Sequence, residues 1–132
     1  MKKLVRNTLT SGVMAVAAIS VCTVNAEAAA SCPANAVCFY EAADFHGSMY
    51  LMTGSEVNSF RVVNFYDGSN ANDRVTSIIN NRNSKLGVYK DTYGGHYLGY
   101  VGANSKVGNL SSKGWDNKIS SAYLGSTNST SP

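Results

Sequence analysis

One six-residue phrase occurs twice in the sequence, and this repeat constrains the fold more than any other feature. Asn-Asp-Arg-Val-Thr-Ser begins at Asn72, and Asp-Asn-Lys-Ile-Ser-Ser begins at Asp116, 44 positions later. We call each copy an Asn/Asp–Ser phrase. A second phrase also recurs, since Tyr-Glu-Ala-Ala-Asp-Phe-His-Gly (residues 40–47) is echoed by Tyr-Lys-Asp-Thr-Tyr-Gly-Gly (residues 89–95). We call these the hairpin phrases. Their alternating order predicts two similar four-stranded units in tandem.

The chain after residue 30 favours short antiparallel strands. Runs rich in Val, Ile, Tyr and Phe alternate with Gly, Asn, Asp and Ser, and helical periodicity is nearly absent. Eight or so strands in about 95 residues predict an all-β sandwich or barrel. The expected strands lie in the runs AVCFYEA, SMYLMT, RVVNFY, VTSIIN, LGVYKD, HYLGYV and ISSAYLG.

The first 30 residues have the features of a secretory signal peptide. Lys2, Lys3 and Arg6 precede the apolar stretch 12–24, and small residues suited to cleavage follow. The apolar stretch is too short to span a bilayer of about 30 Å. We therefore expect a secreted protein without a membrane anchor, folded over residues 31–125. Residues 126–132 have no apolar side chains to bury and are expected to be a disordered tail.

Signal cleavage changes the charge and the cysteine count of the chain. It removes three basic residues and Glu27, so the formal net charge falls from +3 to +1. Without clustered Lys and Arg, a nucleic-acid surface is not expected. Cys32 and Cys38 remain after Cys22 leaves with the signal, and an even pair in an exported chain predicts a disulfide. These two cysteines alone do not predict a metal site, because no further soft ligands accompany them.

The hairpin phrases predict a turn that folds over its own sheet. Gly47 follows an aromatic residue by two positions and can adopt backbone angles that residues with a Cβ avoid. The two aromatic residues of each phrase are then expected to pack against each other across the bend, Tyr40 with Phe45 and Tyr89 with Tyr93. The second phrase is one residue shorter between its aromatics.

These phrases together resemble the βγ-crystallin domain, which folds as a sandwich of two tandem Greek-key motifs. The family's hairpin signature is Tyr/Phe-x4-Tyr/Phe-x-Gly, and its calcium-binding members carry Asn/Asp-Asn/Asp-x-x-Ser/Thr-Ser once per motif. The resemblance covers about residues 37–124. The N-terminal CPANAVC, and Trp115 just before the second Asn/Asp–Ser phrase, resemble the secreted bacterial proteins of peptidase inhibitor family I36. The resemblance relates the chain to the Streptomyces metalloproteinase inhibitor, and a killer-toxin-like Streptomyces protein shares the same fold.

The resemblance implies two calcium sites, each built from both motifs. One site would use Asn72, Asp73 and Arg74 with the hydroxyl of Ser120, and the other would use Asp116, Asn117 and Lys118 with the hydroxyl of Thr76. Arg74 and Lys118 would contribute carbonyl oxygens while their charged side chains point to solvent. Glu41 and Lys90 match positions that offer a further backbone carbonyl. With few carboxylates, we expect dissociation constants on the order of 10⁻⁴–10⁻³ M, with micromolar values as the alternative. Asn/Asp–Ser phrases also form plain turns, which is the alternative interpretation.

The predicted function is that of a monomeric, calcium-binding, non-enzymatic protein of the I36 group, with an extracellular protease as partner. No His-Glu-x-x-His or Gly-x-Ser-x-Gly motif occurs, so catalysis is not expected. The longer connection Ser59–Ala71 is one candidate inhibitory loop, although Val62, Val63 and Phe65 within it also fit a core strand. The alternatives are a calcium-stabilised stress or envelope protein, a killer-toxin-like protein, and a carbohydrate-binding face built from the tyrosines.

Overall fold

The computed structural model describes residues 31–125, which form an all-β fold of eight strands joined by turns and short 3₁₀ segments. The predicted signal peptide (1–30) and tail (126–132) lie outside the described residues. Within residues 31–125, no helix is long and apolar enough to cross a membrane. The strands are β1 Val37–Tyr40, β2 Met49–Met52, β3 Glu56–Val57, β4 Ser77–Asn80, β5 Leu86–Tyr89, β6 Tyr97–Val101, β7 Ser105–Val107 and β8 Ser121–Leu124.

The strands form two four-stranded antiparallel sheets that exchange one strand each. The first sheet has the order β2-β1-β4-β7, and the second has the order β3-β8-β5-β6. Strand β3 belongs to the first motif by sequence but pairs with β8 of the second motif, and β7 makes the reverse exchange by pairing with β4. Each sheet is therefore completed by the other motif. The predicted all-β sandwich of two tandem Greek-key motifs is confirmed.

Six of the seven predicted runs contain a strand, and the exception is RVVNFY. Its start belongs to the 3₁₀ turn Phe60–Val62, and the rest forms an irregular loop with one isolated bridge between Asn64 and Asn70. Of the three residues proposed for a core strand there, Phe65 is buried, Val63 is partly buried and Val62 is exposed. Strands β3 and β7 were not predicted, because they are short and carry no run of apolar residues.

The main core lies between the two sheets. Phe39 of β1 contacts Phe60 edge-to-face with ring centroids 4.9 Å apart, and Tyr50 of β2 lies against both rings at 6.2 Å. Edge-to-face aromatic pairs add stabilisation beyond the burial of apolar area. The remaining buried members of this core are Val37, Met52, Val57, Phe65, Ala71, Val75, Ile78, Leu86, Val88, Val101, Leu110, Trp115, Ile119 and Ala122.

A smaller cluster covers the outer face of the first sheet. Cys38, Tyr40 and Met49 are buried there, and the Cys32–Cys38 disulfide holds the N-terminal segment over them. The side chain of Asn81 donates to the carbonyls of Cys32 and Pro33 at 3.0 and 3.1 Å. Burial raises the pKa of the Tyr40 phenol. The predicted disulfide is therefore confirmed, and it ties the N-terminus to the first strand.

The aromatic pairing across the bend is confirmed in the first hairpin and wrong in the second. Tyr40 meets Phe45 edge-to-face at 5.8 Å. Tyr89 contacts Tyr97 and Tyr123, with ring centroids 5.3 and 5.6 Å away, while Tyr93 is 75% exposed.

The hydrogen bonds explain the difference between the two hairpins. The amides of Phe45 and Gly94 both donate to the last serine of an Asn/Asp–Ser phrase, each at 3.0 Å, so Gly94 takes the position of Phe45. Tyr93 takes the position of Asp44, since each amide donates at 2.7 Å to a carbonyl of the other motif: Asp44 to Gly108, and Tyr93 to Asn58. Among the glycines of these bends, Gly47 and Gly94 have positive φ and Gly95 does not.

Replacing Gly47 by valine is expected to destabilise the fold by about 2 kcal/mol, since a β-branched residue is strained in the left-handed region. Gly47 has φ +79°, and a Cβ there would lie 2.7 Å from Cγ of Glu41. Two controls separate the causes: Gly68→Val shares the positive φ (+90°) with open space around it, whereas Gly54→Val has open space and no such φ. Thermal melting of the three variants would rank Gly47→Val lowest. A wild-type melting temperature for that variant would contradict the assignment.

Candidate functional site

Both Asn/Asp–Ser phrases lie in the turn that leads into the last strand of a motif. Each phrase ends on the first residue of that strand, Ser77 of β4 or Ser121 of β8. The second residue of each phrase has left-handed backbone angles, with φ 55° at Asp73 and φ 56° at Asn117. Asn and Asp adopt this region more readily than other residues with a side chain. The backbone therefore favours Asn or Asp at this position whether or not a ligand is present.

The two phrases bind each other through their backbones. The amide of Asp73 donates to the carbonyl of Ile119 at 3.2 Å, and the amide of Asn117 donates to the carbonyl of Val75 at 3.3 Å. Each bond joins the second position of one phrase to the fourth position of the other. The duplication thus places the two oxygen-rich turns face to face.

The first predicted site brings together side chains from both motifs. The hydroxyl of Ser120 donates to Oδ1 of Asp73 at 3.1 Å, although 47 positions separate them. Ser120 and Asp73 line a cleft, and Lys90 lines it as well. Of the two residues predicted to offer a further backbone carbonyl, Lys90 is therefore the one that lies beside this pair. The cleft has a volume of about 400 Å³ and is lined by Arg61, Asp73, Lys90, Asp91, Thr92, Asn117, Lys118 and Ser120. Arg61, Asp91 and Thr92 were not predicted, although the last two directly follow Lys90 in the sequence.

The backbone around Thr76, in the second predicted site, is arranged like the backbone around Ser120 in the first. The amide of Thr76 donates to the carbonyl of Tyr40 at 2.8 Å, as the amide of Ser120 donates to that of Tyr89 at 2.9 Å. Glu41, the residue after Tyr40, therefore relates to Thr76 as Lys90 relates to Ser120. The carboxylate of Glu41 also accepts a hydrogen bond from the amide of Ser48 at 3.2 Å.

The side chain of Arg74 is exposed and also contacts the first hairpin. The side chain is half exposed, and its Nη2 lies 3.5 Å from Oε1 of Glu41. Its guanidinium also lies 6.0 Å from the centre of the Phe65 ring. An exposed ion pair of this kind contributes little stability. It does connect the first Asn/Asp–Ser phrase to the first hairpin.

The first position of each phrase carries a buried oxygen without a hydrogen-bond partner. Within residues 31–125, these are Oδ1 of Asn72 and Oδ1 of Asp116. The other polar atom of each of these two side chains is paired within its own phrase. Nδ2 of Asn72 donates to Oδ2 of Asp73 at 3.1 Å, and Oδ2 of Asp116 accepts from Nδ2 of Asn117 at 3.3 Å. Leaving a buried acceptor unsatisfied costs about 1–3 kcal/mol. Both phrases therefore hold an oxygen that a hydrogen-bond donor or a cation would stabilise.

The last serine of each phrase has a structural role that was not predicted from the sequence. The hydroxyl of Ser77 donates to the carbonyl of Ala42 at 2.6 Å, and that of Ser121 donates to the carbonyl of Asp91 at 2.6 Å. Each hydroxyl also accepts the 3.0 Å bond from the hairpin amide described above. Both serines are fully buried. They fasten the folded hairpins to the sheets, which explains why the phrase ends on serine in both copies.

The donor atoms of these turns suit a hard cation. They comprise amide, carboxylate, hydroxyl and backbone carbonyl oxygens, which are the ligands that Ca²⁺ takes in proteins. In the described part of the chain, no group of three His, Cys, Asp or Glu side chains comes together. The chemistry of the turns is thus that of neutral oxygens supplemented by one carboxylate in each phrase, Asp73 or Asp116.

Comparison with known protein families shows to which family this chain belongs. The model of peptidase inhibitor family I36 matches residues 25–101, which is more than half of the sequence. The chain belongs to peptidase inhibitor family I36. The match includes the first hairpin phrase, the first Asn/Asp–Ser phrase and the disulfide, and it ends before the second Asn/Asp–Ser phrase. No curated protein matches the sequence significantly.

The family member has the fold of the βγ-crystallins. A βγ-crystallin domain solved in a study of the evolution of the eye-lens fold has a TM-score of 0.63 and 26% identity, and the match covers 79% of this chain and 98% of that one. A βγ-crystallin from an archaeon has a TM-score of 0.53 and 29% identity, covering 70% and 99%. Spherulin 3a from Physarum polycephalum has a TM-score of 0.55 and 25% identity, covering 79% and 96%.

Proposed function

We propose that this I36 family member binds two calcium ions outside the cell, one at each pairing of an Asn/Asp turn with a hydroxyl from the other motif. The observation that carries the proposal is the contact between Ser120 and Asp73, which joins two oxygen donors from different motifs at 3.1 Å. Bound calcium would draw on the oxygens of these turns and offset the charge of their carboxylates. The unpaired buried oxygens of Asn72 and Asp116 support the same assignment.

Calcium titration is expected to give two sites in the wild type. If binding is confined to the folded state, calcium at 100 times the dissociation constant stabilises the fold by about 2.7 kcal/mol per site. Isothermal titration of Ser120→Ala is expected to retain one site, and Thr76→Ala is expected to retain the other. Ser112→Ala, an exposed serine outside both phrases, serves as the control. Absence of heat and of any melting shift at several millimolar calcium would exclude calcium binding.

We further propose that the protein inhibits an extracellular endopeptidase and is not itself a catalyst. Membership of family I36 supports this, and the disulfide suits an oxidising extracellular compartment. A small two-sheet domain tied by a disulfide is a rigid scaffold for a loop that enters a protease cleft, and rigidity lowers the ordering cost of binding.

The test is a panel of metallo- and serine endopeptidases, assayed with the protein in calcium and in chelator. Inhibition is expected to be stronger in calcium. Full protease activity at stoichiometric excess of the protein, under both conditions, would remove the inhibitor function. Calcium-dependent melting in that case would leave an extracellular protein stabilised by calcium as the remaining function.

A further inference from the structure

The two motifs differ most in one connection. Phe60 and Leu110 are equivalent, because each begins a 3₁₀ turn and donates its amide across the motifs at 2.8 Å, to Ser120 and Thr76 respectively. Twelve positions separate Phe60 from the first Asn/Asp–Ser phrase, whereas six separate Leu110 from the second. The first motif therefore carries an insertion of six residues at this point. We call residues 61–71 the inserted loop.

Buried side chains and backbone bonds anchor the inserted loop to the sandwich. Phe65 within the loop is 2% exposed, and Ala71 at its end is fully buried. The amide of Tyr66 donates to the carbonyl of Met49 at 2.9 Å, and the amide of Asp67 donates to Oγ of Ser48 at 2.9 Å. The loop is thus restrained at its tip as well as at its ends.

Val62 stands out within this anchored loop. It is 82% exposed, the most exposed large apolar side chain in residues 31–125. Because burial is what makes apolar side chains stabilising, a valine this exposed contributes little to the fold. With Val63 and Tyr93 it borders a groove of about 410 Å³, whose lining also includes Tyr50, Val57 and the polar residues Glu56, Asn58 and Ser59.

One side chain holds the backbone on both sides of Val62. Nδ2 of Asn70 donates to the carbonyl of Arg61 at 3.0 Å and to the carbonyl of Val63 at 3.1 Å. Oγ of Ser59 accepts from the amide of Arg61 at 3.3 Å. The carbonyl groups of Arg61 and Val63, the residues on either side of the exposed valine, are therefore held by hydrogen bonds from Asn70 within the loop. A segment fixed in this way loses little conformational entropy when it binds.

The same asparagine connects the loop to the candidate calcium site. Oδ1 of Asn70 accepts from the amide of Asn72 at 3.1 Å, and Asn72 is the first residue of the Asn/Asp–Ser phrase. Nη1 of Arg74, in the same phrase, donates to the carbonyl of Asn70 at 3.5 Å. A cation that orders the phrase would therefore also order the side chain that holds Val62.

We propose that Val62 is the residue that enters the specificity pocket of the target, which is an endopeptidase with an apolar pocket, and that Asn70 is its positioning residue. This inference rests on the proposed inhibitory function and names the surface that performs it. Arg61, Val62 and Val63 contact the protease cleft, and Tyr93 packs at its rim. Asn70 keeps the carbonyls of Arg61 and Val63 in place. It also couples the loop to the first Asn/Asp–Ser phrase, so that cation binding there orders the loop.

The experiment compares three variants against one thermolysin-type and one chymotrypsin-type protease in calcium. Val62→Asp puts a charge into the apolar pocket and is expected to raise the inhibition constant at least about 30-fold, as for a central contact residue. Tyr100→Asp is the matched control, because Tyr100 is exposed on β6, the edge of the second sheet opposite β3. It is expected to leave the inhibition constant unchanged. Asn70→Ala is expected to weaken inhibition and to remove its dependence on calcium.

A second measurement separates positioning by Asn70 from a general loss of stability. Mass spectrometry is expected to show Asn70→Ala cleaved beside Val62 during incubation, where one water hydrolyses one peptide bond, while the wild type stays intact. Gly99→Ala, destabilised by contact with Trp115 on the β6 edge of the second sheet, has its substitution outside the loop and its anchors and is expected to stay uncleaved at that bond. Cleavage of both variants at the same rate would overturn the role of Asn70.

The outcomes distinguish this inference from the function on which it rests. No inhibition by the wild type would exclude the inhibitory function itself. Equal inhibition by the wild type and Val62→Asp would overturn the assignment of Val62 and leave inhibition in place at another surface. A wild-type dimer in size-exclusion chromatography with light scattering, dissociated by Val62→Asp, would make this face a contact between two copies and also overturn the proposal.

Discussion

Gly99→Ala is expected to lower the free energy of unfolding by about 3 kcal/mol or more, and Gly99→Val is expected to give no folded protein. A Cβ at position 99 would overlap Cζ2 of Trp115 and lie 2.9 Å from its Cη2. Trp115 is 9% exposed and belongs to the main core, so moving its ring aside would give up buried apolar contacts. Overpacking a dense core costs about 1–3 kcal/mol and occasionally more, in a domain whose total stability is about 5–15 kcal/mol.

Urea unfolding of Gly99→Ala, measured at equilibrium, tests this expectation. A double-mutant cycle with Trp115→Leu identifies the cause, since the smaller side chain removes the overlapping ring atoms. The cost of Gly99→Ala is then expected to fall by at least about 1 kcal/mol, which is within the range of coupling between residues in contact. Gly54→Ala, with open space around the added carbon, is the control. An equal cost in both backgrounds would contradict the overlap with Trp115.

Phe60→Ala is expected to cost about 3–5 kcal/mol, the range for removing a buried phenylalanine. Phe60 is fully buried between the sheets and contacts the rings of Phe39 and Tyr50. Its loss would leave a cavity at the point where the inserted loop begins. The variant is therefore also expected to inhibit proteases more weakly than its remaining stability alone would suggest.

Chemical denaturation again provides the measurement, and Val62→Ala supplies a control two positions away. Because Val62 is exposed, its truncation is expected to change stability by no more than about 0.5 kcal/mol. Leu110→Ala tests the equivalence of the motifs, since Leu110 is fully buried at the position that matches Phe60. This substitution is expected to lower the free energy of unfolding by about 2–5 kcal/mol. Similar stabilities of Phe60→Ala and Val62→Ala would contradict the burial of the phenyl ring.

The positions of the candidate site residues follow from the sequence where the backbone requirement is local. Asp73 and Asn117 occupy left-handed positions, and the requirement for such residues is visible in the phrase itself. The bond between Ser120 and Asp73 is also consistent with the duplication, since the phrase was interpreted as half of a site. Neither the unpaired oxygen of Asn72 nor the link from Asn72 to Asn70 could be predicted, because both depend on the folded path of the inserted loop.

The all-β class, the division into two motifs and the disulfide could be predicted from sequence patterns, because apolar alternation, a repeated phrase and an isolated cysteine pair are local properties. The folded structure was needed to establish that the short strands β3 and β7 exchange between sheets, since their pairing depends on distant partners. It likewise decided that Tyr97 takes the place expected for Tyr93 against Tyr89, and that Val62 faces solvent. An apolar residue carries no local signal for whether the fold will cover it, because burial depends on neighbours that are far away in the sequence.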